Sequence, residues 1–92
     1  MLEKTKIDQI ARNIATANLT TGSVKSVLTS STIDSEGRDA LLITIVLTPG
    51  SSGTIKGNAA LNTLTEILKN LKNEGEERFP IIEYEEFGEG VN

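Results

Sequence analysis

Cysteine and histidine are both absent from this chain. Without cysteine there is no disulfide, no thiolate zinc site and no thiol nucleophile. Without histidine the commonest general base and metal ligand is missing, and with it every Ser-His or Cys-His pairing. These absences argue against an enzyme, and the sequence offers no catalytic, cofactor-binding or metal-ligating set to name. Long apolar runs are missing too, so no segment is expected to span a bilayer. Residues 1–19 carry Glu3, Lys4, Lys6, Asp8 and Arg12 where a signal peptide would have a continuous apolar stretch. A cytoplasmic location with no membrane partner is therefore the default expectation.

Aromatics are few: Phe79, Tyr84 and Phe87. All three lie in the acidic C-terminal part, where they make no basic platform for stacking nucleotides. The net charge is −4, and it is unevenly placed. Residues 74–92 hold Glu74, Glu76, Glu77, Glu83, Glu85, Glu86 and Glu89 against Arg78, a local charge of −6, whereas residues 1–73 sum to +2. Such an end repels phosphate and favours a basic partner surface, or serves as a solvated edge that discourages aggregation.

What is present fits one small domain of 92 residues, large enough to bury roughly 60–70% of its unfolded surface. Its centre is Ala40 to Leu47, A-L-L-I-T-I-V-L, an apolar run bounded by turn residues that reads as a buried strand. Leu41, Ile43, Ile45 and Leu47 line one face and Leu42, Thr44, Val46 and Thr48 the other. Before it, residues 3–18 carry Ile7, Ile10, Ala11 and Ile14 at helical spacing. Val24 to Ile33 is β-branched and free of Gly and Pro, but its alternation is imperfect, with Val24 and Leu28 pointing one way and Val27 and Ile33 the other, which predicts a bulge or an edge strand. The turn Asp34 to Asp39 joins these two strands as an antiparallel hairpin. After the central strand, residues 58–72 carry Leu61, Leu64, Ile67, Leu68 and Leu71 as a second helical stripe, with Asn58 as its N-cap and Gly75 as its stop. A third strand follows at residues 81–86, and residues 87–92 read as a frayed acidic tail.

The expected architecture is α+β: elements in the order α-β-β-α-β, a three-stranded mixed sheet, and two helices packed mainly on one face. This order resembles a ferredoxin-like fold (β-α-β-β-α-β) without its first strand. That strand would lie between the second and third strands of this chain. The resemblance therefore implies that they pair directly or that another chain fills the slot, with direct pairing favoured.

Three stretches invite chemistry. Gly50, Ser51, Ser52, Gly53 and Thr54 precede a helix, a place where backbone N–H groups can hold an anion. The phosphate-loop pattern fails there, because Gly53 is followed by Thr54 rather than Lys. The same G-S-S-G resembles, over four residues, the GXXG loop of KH domains, which would imply grip on a nucleic-acid backbone. It follows a strand rather than a helix and has only Lys56 beside it, so nucleic acid ranks last. Asp34, Glu36 and Asp39 could bind a divalent cation, but turn stabilisation by Asp34 explains them without one. The remaining candidate is surface. Leu42, Thr44 and Val46, with Ile81 or Ile82 beside them, form a sheet face for which two helices on the opposite side leave no cover. The sequence thus points first to a protein-protein interaction module, self-associating as a homodimer or docking a partner. A small-molecule or anion site at Gly50–Thr54 is the alternative.

Overall fold

In the computed structural model, which describes residues 2–19, 22–51, 53 and 55–88, the two apolar stripes are helices and the three β-rich runs are strands. The chain runs α1 (Lys4–Asn18), β1 (Val24–Ile33), β2 (Asp39–Leu47), α2 (Gly57–Asn73) and β3 (Phe79–Glu86). The sheet order is β1-β2-β3. β1 and β2 are antiparallel, and β2 and β3 pair directly in parallel. The slot left by the absent ferredoxin-like strand is thus closed within the chain.

β2 owes its central place to its composition. Leu41, Ile43, Ile45 and Leu47 are each 2% exposed or less and form the floor of the core. α1 lays Ile7, Ala11 and Ala15 on that floor, and α2 lays Ile67 and Leu71 beside them. Small Ala residues at every fourth position let α1 approach the sheet closely. Both helices belong to one core cluster with the same β2 face, so among the described residues the other sheet face carries no helical layer. Among the described residues, no helix is long and apolar enough to cross a membrane.

Several local details differ from the periodicity. The slip in β1 is a bulge between Val24 and Ser26, and it returns Val24 to the core side with Val27. On α2 the buried positions are Thr63, Ile67 and Leu71, while Leu61 stays 62% exposed. Thr63 tolerates burial because its hydroxyl donates to the Ala59 carbonyl one turn back (2.8 Å). α2 starts at Gly57 with Lys56 at the N-cap and no side-chain cap. Asn58, the expected cap, instead accepts the N–H of Ala59 (3.0 Å). Ile55 packs against the core just before the helix, and this packing sets the entry of the chain against a weak glycine preference.

The end of α2 is a Schellman arrangement. Gly75 takes φ +95°, its N–H donates to the Lys72 carbonyl, and the Glu76 N–H donates to the Leu71 carbonyl. This exit turns Glu76 inward, where it is 3% exposed. Its carboxylate accepts the Leu2 N–H (2.9 Å) and the Arg78 N–H (3.0 Å). It also takes a bidentate grip from the Arg78 guanidinium (2.9 and 3.1 Å). Arg78 Nη1 then reaches Ser31 Oγ on β1 (3.2 Å). One buried carboxylate thereby ties the chain entering α1, the α2–β3 connection and β1 together.

Candidate functional site

The sheet face away from the helices is built by register. β2 offers Ala40, Leu42, Thr44 and Val46. β1 sets Leu28 opposite Thr44 and Ser30 opposite Leu42. β3 sets Phe79, Ile81, Glu83 and Glu85 beside the same four β2 residues. The outer strands shelter the central one: Thr44 and Val46 are 9% and 8% exposed with no helix over them. Exposure moves to the flanks, where Leu28 and Phe79 are each 55% exposed and Leu42 and Ile81 are half-buried. The charged side chains at the alternating positions of this face are Glu83 and Glu85, both exposed.

The expected interface residues therefore divide. Leu42 and Ile81 lie on the uncovered face with part of their surface free. Thr44 and Val46 lie on it but are nearly closed off by their neighbours. Ile82 leaves the set, because it pairs with Ile43 on the other face and packs against the core. Leu28 and Phe79 contribute the largest exposed apolar surface and were missed by the sequence reading. The bulge before Leu28 decides its face, and β3 starts at Phe79 rather than at residue 81. The usable signal was the β1 alternation read backward from Ile33 rather than forward from Val24.

Other candidates come out differently. In the loop after β2, Gly50 takes φ +81° and is exposed. The Ser51 N–H donates to the Thr48 carbonyl (3.0 Å), and the Thr48 hydroxyl meets Ser51 Oγ and donates to the Gly22 carbonyl. These hydroxyls hold the loop to the end of the preceding segment. Gly53 is exposed, and the helix does not begin until Gly57. Ser52 and Thr54 lie outside the described residues, as do residues 89–92 of the expected tail. Phe87 is not frayed: its N–H donates to the Leu47 carbonyl (2.7 Å), and the Lys25 ammonium lies 4.3 Å from its ring centroid.

At the hairpin, Asp34 accepts the N–H groups of Glu36 (2.8 Å) and Arg38 (2.9 Å) through one oxygen and the Arg38 guanidinium (3.1 Å) through the other. The Arg38 amide hydrogen bond is the main cause of its lowered pKa. Gly37, at φ +82°, closes this turn where an L side chain would be strained. Asp34 thus serves the turn, and among the described residues no group of three carboxylates converges as a metal site.

Comparison with protein-family models, with curated proteins and with solved structures finds no match to this chain.

Proposed function

We propose that this chain is a non-enzymatic docking module that binds a partner protein through its uncovered sheet face. The partner presents an apolar ridge bordered by lysine or arginine. One observation carries the reading: Leu28 and Phe79, each 55% exposed, flank Leu42 and Ile81 on a face that no helix covers. A contiguous apolar strip of this kind, bordered by polar groups, is the usual mark of a protein interface. Its occupant follows from charge. Glu83 and Glu85 line the β3 side of the strip, and Arg38, which reaches its Phe79–Ile81 end, is already paired with Asp34 and Glu36. A basic border on the partner would speed encounter and fix its orientation, while the apolar strip would supply affinity.

The test is a double substitution, Leu28→Glu with Phe79→Glu. Both positions are open, so the variant is expected to fold with unchanged stability to within about 0.5 kcal/mol. Cross-linking in the native host, read by mass spectrometry, is expected to join the β3 side of this face to lysines of one partner. Binding to that partner as a purified protein should be lost in the variant and should slow with added salt. Sedimentation showing a wild-type dimer that the same substitutions dissolve would make a second copy the occupant and overturn the partner reading.

A further inference from the structure

On the helix side of the sheet, a cavity of about 220 Å³ opens between the start of α1 and the strands, lined by Leu2, Lys4, Ile7, Thr29, Ser31 and Arg78 with Leu41 and Ser30. At about 30 Å³ per water it has room for about seven waters, or a guest of a few heavy atoms. Its walls are of two kinds. Leu2, Ile7 and Leu41 make an aliphatic floor, and Ile7 and Leu41 are 1% and 2% exposed. Lys4 and Arg78 line the same cavity.

Arg78 is an unusually prepared donor. Glu76 grips its Nε and Nη2, and Ser31 accepts from Nη1. Of the five guanidinium N–H groups, the described residues accept three, so one on each of Nη1 and Nη2 stays undonated. Glu76 offsets the charge of the guanidinium but also fixes its plane. What remains is a pair of oriented donors rather than a bare cation. Lys4 adds an ammonium, 62% exposed and paired at 2.9 Å with Asp8.

Thr29 also lines the cavity, is 5% exposed, and among the described residues its hydroxyl has no hydrogen-bond partner. A buried polar atom left unpaired carries a penalty, but this oxygen is closed to the cavity, so Thr29 contributes wall rather than a donor.

We propose that this cavity binds a small carboxylate, its oxyanion taking hydrogen bonds from Arg78 and Lys4 and its short aliphatic tail resting on Leu2, Ile7 and Leu41. The site lies at the β1 edge on the helix side of the sheet and shares none of Leu28, Leu42, Phe79 and Ile81 with the docking surface.

The test uses the full chain, ¹⁵N-labelled and titrated with sodium butyrate, with sodium phosphate and sodium chloride at matched ionic strength beside it. Butyrate is expected to give saturable shifts at the amides of Leu2 and Ser31 and at Arg78 Nε–H, with a Kd on the order of 1 mM. Lys4→Gln, at an exposed position, should weaken binding by about three- to tenfold, whereas Thr29→Val, which keeps the shape and removes a hydroxyl closed to the cavity, should leave it unchanged. Arg78→Lys is a poorer probe, since it also breaks the grip on Glu76. Three results would overturn the proposal: drift without saturation in every salt, a butyrate titration that Lys4→Gln leaves unchanged, or saturation by phosphate alone, which would assign a free oxyanion with no tail.

Discussion

The smallest features of this chain have measurable consequences. Thr29 is buried with a hydroxyl that is unpaired among the described residues, and a buried polar group without a partner costs about 1–3 kcal/mol. Thr29→Val removes the hydroxyl while keeping the shape and the preference for a strand. We expect it to stabilise the free protein by about 1 kcal/mol, raising the melting temperature by about 4–8 °C for a domain of this size. Calorimetry checks this, and a lower melting temperature would show that the hydroxyl has a partner. Glu76 has the opposite character. The Arg78 guanidinium, with the amides of Leu2 and Arg78, holds its pKa down from 4.5 to about 2. A carboxylate whose folded pKa is depressed binds its proton more readily in the unfolded chain. Its contribution is therefore complete above pH 4.5 and is lost as the pH falls from 4.5 towards 2. At neutral pH it amounts to roughly 3 kcal/mol. Glu76→Gln should remove most of it and flatten the acid limb of a stability-against-pH curve measured by urea unfolding. An equally steep limb in the variant would place the acid sensitivity elsewhere.

At the level of elements, the two helices end better than they begin. α2 exits through Gly75 at φ +95° with both Schellman hydrogen bonds, whereas neither helix has a side-chain N-cap. Lys56 occupies the α2 cap position with an extended backbone, φ −89° and ψ 151°, which is the geometry a capping serine or aspartate uses. It also places a positive charge at the positive end of the helix dipole. Lys56→Asp corrects both faults and should stabilise by about 1 kcal/mol, read as a higher urea midpoint with an unchanged slope. β1 shows how the elements limit unwanted pairing. It is a ten-residue edge strand, but its bulge at Val24/Ser26 and the Arg12 contact to the Lys25 carbonyl (3.4 Å) interrupt one end of its free edge.

Across the whole molecule, the governing feature is a sheet with one covered and one uncovered face. The crossover from β2 through α2 to β3 places α2 on one side by its handedness, and α1 joins it there because both helices share the floor made by Leu41, Ile43, Ile45 and Leu47. Packing on the far side would have left half of that floor exposed. The uncovered face is therefore a consequence of core economy. Substituting Leu28 and Phe79 by Glu should leave the fold intact and abolish association. By contrast, Val46→Glu should destabilise the domain by more than about 2 kcal/mol, because Val46 is 8% exposed and the charge would be partly buried. Circular dichroism with urea unfolding separates the two outcomes. A Val46→Glu variant as stable as wild type would show that the flanking strands do not shelter that position.

By itself, the sequence determined the elements and their order. The β2 alternation, the two helical stripes, the Asp34–Gly37 turn and the stop at Gly75 are all encoded within a few residues of where they act, so period and turn chemistry suffice to read them. The helix stripes were legible only in part: Leu61 fits the pattern yet faces water, and Thr63 breaks it yet is buried. The tertiary structure decided which outer-strand residues meet on the uncovered face, moving Leu28 and Phe79 in and Ile82 out through one bulge and one early strand start. It alone also brought Leu2 to Glu76, 74 residues apart, and Ser31 to Arg78, 47 residues apart. Local periodicity carries no information about such pairs. They come together because Gly75 turns the chain inward under α1, and a carboxylate turned inward is stable only where donors from distant segments converge on it.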